Sequence, residues 1–184
     1  MTKFIGYFIA LPASLIFNST PGIVSHTLSE PIATQALIAQ TSSPRYQPLS
    51  TATCNQLRQE MNKVLKVRVT MKRSTFQDFI NGGGGTSCQL TVTGNGRNFK
   101  DVDHVLRKMS AMLTKQGWGN APNYVADGPT GVARGFRKGN NLALLNIEWE
   151  PSANANCPND QPISDCELSP EQQLYRITLD AVRR

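Results

Sequence analysis

Few residues in this chain have the type and spacing to do chemistry. His26 lies in an apolar leader, so one histidine remains downstream, His104, between Asp103 and Val105. To act as a base it needs a serine or cysteine within reach and a carboxylate to orient its ring. No G-x-S-x-G elbow is present, and the cysteines have another use, described below. Paired carboxylates are the second candidate. Glu148 and Glu150 alternate along one strand-like run, which puts both on one sheet face about 7 Å apart at their roots. Such a pair can cleave glycosides. Cross-strand ion pairing with Arg68, Lys72 and Arg176 accounts for the same two residues without catalysis. No catalytic residue is therefore assigned, and a secreted hydrolase using carboxylates or His104 is carried as the alternative.

The remaining motifs are weaker. Gly82, Gly83, Gly84 and Gly85 read as a loose loop, which lacks the Lys-Ser/Thr of a phosphate loop and leads into a strand. Arg134-Gly135-Phe136 opens like an RNA-binding strand, but Arg137 and Lys138 stand where that motif needs a small residue and an aromatic. Asn154, Asn156, Asn159, Asp160 and Asp165 gather oxygen ligands in one loop, yet calcium-loop spacing is absent and Pro158 and Pro162 interrupt it. No C-x-x-C pair exists to hold zinc. No metal or cofactor is expected.

The cysteines bear on compartment. Lys3 precedes an apolar run, Phe4 to Phe17, too short for a comfortable membrane span, as in a secretory signal. Residues 1–39 read as leader, with retention as an anchor as the other reading, and residues 40–49 read as a flexible Pro- and Gln-bearing linker. Cys54, Cys88, Cys157 and Cys166 all lie downstream. An even count in an exported chain predicts two disulfides. Of three connectivities, the short Pro-bearing spacing favours Cys157–Cys166 and leaves Cys54–Cys88. The expected location is periplasmic or extracellular, with no integral membrane domain.

The elements that would position these residues are legible as patterns. Residues 53–56 fit a capping box for a helix carrying Leu57, Met61, Val64 and Leu65. Val102, Val105, Leu106, Met109, Met112 and Leu113 form the apolar stripe of a second helix over about 99–116, stopped by Gly117. Leu145, Ile147 and Trp149 alternate with Asn146, Glu148 and Glu150, and Tyr175, Ile177 and Leu179 with Arg176, Thr178 and Asp180. Strands are expected near 67–72 and 88–93 and in a 131–150 hairpin, whereas 120–131 reads mostly as turn. Residues 50–184 should then form one α+β domain: a two-layer sandwich, a mainly antiparallel sheet of about five strands with two helices on one face. The other face would be open to solvent.

On that open face, Arg68, Lys72, Arg134 and Arg176, tempered by Glu148 and Glu150, are the expected binding surface. The net charge of +6 suits acidic glycans, an acidic protein or an anionic envelope surface. Nucleic acid is not expected, because no dense basic stripe with stacking aromatics is present. An extracellular protease inhibitor using the Cys157–Cys166 loop is a further alternative. The stretches ADGPTGVARGFRKGNNLALLNIEWEP and CPNDQPISDCELSPEQQLYRITL resemble an exported bacterial domain of cyanobacterial type, over about Cys54 to Val182. That resemblance implies export and one compact domain, and it brings no activity or site residues. The sequence reading is thus a small exported binding or envelope-associated module.

Overall fold

The computed structural model describes residues 45–157 and 162–184. The leader, the first part of the linker and the centre of the oxygen-rich loop, with Asn159 and Asp160, lie outside the described residues. The chain divides into a unit of Met1–Ala39 and a unit of Gln40–Arg184, and the description below concerns the second.

The element order is β1 (Arg45–Pro48), α1 (Thr51–Leu65), β2 (Thr70–Asp78), β3 (Gly83–Asn95), α2 (Val102–Lys115), β4 (Gly119–Gly128), β5 (Gly131–Lys138), β6 (Asn141–Pro151) and β7 (Gln173–Arg183). The fold is α+β, but the sheet has seven strands, not about five, in the order β2-β3-β1-β7-β6-β5-β4. It is mixed, because β1 runs parallel to β3 and antiparallel to β7. The two additional strands carry no alternating pattern. Four-residue β1 ends in Pro48 and enters as a wedge where β3 and β7 part. β4 is an edge strand interrupted by an irregularity between Ala121 and Val125 that accommodates Pro122, so it reads as turn.

Two further boundaries moved. α1 starts three residues before the expected capping box, because Ser50 is the N-cap and its hydroxyl accepts from the Thr53 amide at 3.2 Å. The glycine run is not a loop: Gly83 to Gly85 open β3 and pair with Phe76 to Asp78. A side chain at Gly85 would run into the backbone of Tyr46, so glycine is what lets β1 lie against β3.

Both helices lie on one side of the sheet. Leu57, Met61, Val105, Met109 and Leu113 share one buried core with Leu90, Val92, Phe136, Leu145, Ile147, Ile177 and Leu179. The disulfides are Cys54–Cys88 and Cys157–Cys166. The first ties the first turn of α1 to the middle of β3, with Cα atoms 6.3 Å apart. The second clips the connection between β6 and β7. No helix among the described residues is long and apolar enough to cross a membrane.

The opposite face is only partly open. At one end, Tyr46, Phe76, Leu142 and Val182 form a second apolar cluster, with Tyr124 and Leu144 against it. Tyr124 reaches it from the irregular part of β4, lying across Gly135, where an added Cβ would sit 2.5 Å from the Cβ of Tyr124. Its hydroxyl then meets Asp78, the last residue of β2. Because β2 and β4 are the two edges of the sheet, this contact requires the sheet to curl until its edge strands meet at one corner.

Candidate functional site

The expected surface residues do not form one platform. Glu148 and Arg176 are direct cross-strand partners in β6 and β7, and Glu150 stands opposite Leu174 one same-face step along. With Thr93, Gly94, Thr130, Trp149 and Tyr175 they line a depression of about 550 Å³. Lys72 shares this side of the sheet but pairs with Gln89, which stands opposite Asp180, away from the Glu148 row. Arg68 lies in the connection between α1 and β2. Arg134 is opposite Leu145, hence on the helix side, and its guanidinium bonds Asp127 at 2.7 Å. His104 sits half-buried in the first turn of α2, where its backbone amide donates to the cap residue Asp101. Among the described residues no cluster of three His, Cys, Asp or Glu side chains is placed to hold a metal ion.

A buried polar cluster, absent from the sequence expectations, surrounds Asp78. Asp78 is fully buried, and its carboxylate accepts from the Tyr46 hydroxyl at 2.6 Å, the Tyr124 hydroxyl at 2.8 Å and the Asn81 side-chain amide at 2.8 Å. It also accepts from the backbone amides of Ile80 and Asn81, each at 3.0 Å. Arg137 lies over the Tyr124 ring, 5.6 Å from its centre, and donates to its hydroxyl. Burial by itself would raise the pKa of Asp78; the hydrogen bonds from Asn81, Tyr46 and Tyr124 outweigh it and hold the group at about 2. Tyr124 is pushed up to about 12 by burial and by its bond to Asp78, and Tyr46 is raised for the same two reasons. At neutral pH the carboxylate is thus charged and both phenols are protonated. No proton is poised to move, and the cluster works as a clasp between β1, β2 and β4.

The clasp fixes the turn between β2 and β3. Phe79 and Ile80 are 88% and 54% exposed, the two most exposed large apolar side chains among the described residues. Asp78 holds the amides immediately behind them, the Gly82 amide donates to the Asp78 carbonyl, and Gly82 closes the turn with a φ of +69°. The apolar tip is therefore presented on a structured apex.

Strand register gathers cations at the same end. Arg45, the first residue of β1, pairs with Gly84 just behind the apex. Arg183 pairs with Gln47 and Asn141, and the Arg184 amide donates to the Asn140 carbonyl. Arg137 reaches the clasp itself, whereas Lys138, the last residue of β5, sends its ammonium to the Gln116 carbonyl at the end of α2, at 2.6 Å. Arg137 and Arg184 both act electrostatically on Tyr46, which places their charges near it. The ion pairs among the described residues are Lys63–Glu60, Arg97–Glu171 and Arg134–Asp127, none of them at this end. Asp78 is enclosed in its clasp, and Asp180, further along the sheet, is engaged by Ser87 and Gln89. The result is a basic end with an apolar apex.

The chain matches no family model, no curated protein and no solved structure.

Proposed function

We propose that this protein is an exported, envelope-associated binding module that engages an anionic surface through its basic end. The observation that carries the reading is the convergence of Arg45, Arg137, Arg183 and Arg184 on one end of the sheet, none of them in an ion pair among the described residues. Cations left without carboxylate partners keep their field for an external anion, and clustering adds those fields together. The two disulfides fit an oxidising compartment, and the leader read from the sequence fits export to it. This surface replaces the dispersed set Arg68, Lys72, Arg134 and Arg176, which four different parts of the fold hold apart.

The reading makes a position-specific prediction. Each Lys or Arg close to an anionic surface contributes about 1 kcal/mol. The triple variant Arg137→Gln, Arg183→Gln, Arg184→Gln should therefore bind an immobilised polyanion about a hundredfold more weakly at low salt. The variant Arg97→Gln, Lys100→Gln, Arg176→Gln loses the same formal charge elsewhere and should retain most of the affinity. Equal losses for the two triples would leave only a net-charge effect and refute a localised site. Binding by the wild-type protein should weaken steeply as salt rises.

A further inference from the structure

We infer that the Phe79–Ile80 apex enters the headgroup layer of an anionic lipid bilayer while the surrounding arginines bind its phosphates. This rests on the binding role proposed for the basic end and names its partner. Phe79 and Ile80 stand exposed at 88% and 54%, whereas Phe76 and Phe99 are nearly fully buried. The turn that carries them is not loose, since the Asp78 carboxylate and carbonyl bind the amides of Ile80, Asn81 and Gly82. An apolar pair held out on a structured turn stays in water unless a partner covers it.

The shape of the site favours a bilayer over a protein. A stable protein interface takes about 800 Å² from each partner. Two side chains at a turn supply only a fraction of that area, and they form a projection, not a groove. A headgroup layer needs no complementary surface and accepts a wedge of this kind, with apolar groups shallowly buried beside cations at the phosphate level. Charge complementarity agrees: Arg45 lies one strand behind the apex, Arg137 reaches the clasp, and Arg183 and Arg184 close the same end.

The test uses the full chain with Phe79→Trp and vesicles of phosphatidylcholine with or without phosphatidylglycerol. Subtracting the wild-type spectrum removes the contribution of Trp118 and Trp149. The expected result is that emission from position 79 moves to shorter wavelength with the anionic vesicles alone, and that lipids brominated near the headgroup end of the acyl chain quench it. In the Phe79→Ser, Ile80→Ser variant, affinity for anionic vesicles at about 0.15 M salt should fall tenfold or more, while retention on an immobilised polyanion stays unchanged. If the protein sediments with anionic vesicles in a salt-sensitive manner but emission at position 79 does not move, insertion is refuted and the basic-end reading survives. If neither vesicles nor polyanion are bound, both readings fall. An emission change produced by an envelope protein fraction and not by lipid overturns the bilayer in favour of a protein partner.

Discussion

Replacing Asp78 with alanine should destabilise the domain by about 3 kcal/mol, seen as a lower midpoint of urea unfolding at neutral pH. The cause is not the loss of a single bond. The substitution leaves the hydroxyls of Tyr46 and Tyr124 and the amides of the turn without their common acceptor, in a place where Tyr46 is only 3% exposed. Asp78→Asn keeps the volume but cannot accept all five donors as an anion, and should cost roughly 2 kcal/mol. The pH dependence separates charge from packing. Folding lowers the pKa of Asp78 from 3.8 to about 2, so its charged form stabilises the native state fully above the unfolded value. That contribution is lost as the pH falls through the folded value. The shift corresponds to roughly 2 kcal/mol. The difference in stability between wild type and Asp78→Asn should accordingly be largest at neutral pH and shrink between about pH 4 and pH 2. A difference that stays constant over that range would assign the effect to packing alone.

Removing the Cys54–Cys88 bridge should cost more than removing Cys157–Cys166. The first joins residues 34 apart and the second residues 9 apart. Loop-entropy arithmetic gives about 4 kcal/mol for the former against roughly 2.5 kcal/mol for the latter. Location widens the gap. Cys54 and Cys88 are both buried between α1 and the sheet, so alanine in their place also removes core contacts. Cys157 and Cys166 instead clip a connection outside the main core. The measurement is chemical unfolding of the Cys54→Ala, Cys88→Ala and Cys157→Ala, Cys166→Ala variants beside the oxidised wild type. A larger loss from the second pair would overturn the view that the helix layer depends on the first.

The two kinds of bond differ in how visible they are in the sequence. Both disulfides follow from an even cysteine count and one short spacing. β6 and β7 are legible because Leu145, Ile147, Ile177 and Leu179 bury one face while polar residues occupy the other, and the α2 stripe repeats with helical period for the same reason. The clasp has no such signature. Tyr46 and Tyr124 lie 32 and 46 residues from Asp78, and nothing local to any of them points to the others. They meet only because β1 wedges into the sheet and because the sheet curls until β4 reaches β2. β1 is too short to show alternation, and the glycines that admit it read as a loop. One local clue existed: Phe79 and Ile80 are two large apolar residues between a turn-forming Asp78 and Asn81-Gly82, where solvent exposure leaves them without a folding role. The cationic end was hidden for a related reason. Its residues come from the first strand, the end of β5 and the end of β7, and only the register brings them together.

Hydrogen exchange of the protein with and without phosphatidylglycerol vesicles tests the central claim most directly, because it locates the bound surface without altering any residue. A footprint over residues 78–84, 137–141 and 183–184, with residues 128–131, 148–151 and 174–176 unchanged, is the predicted result. Protection centred on the Glu148–Arg176 depression, with the apex and the arginine end exchanging as freely as before, would contradict it.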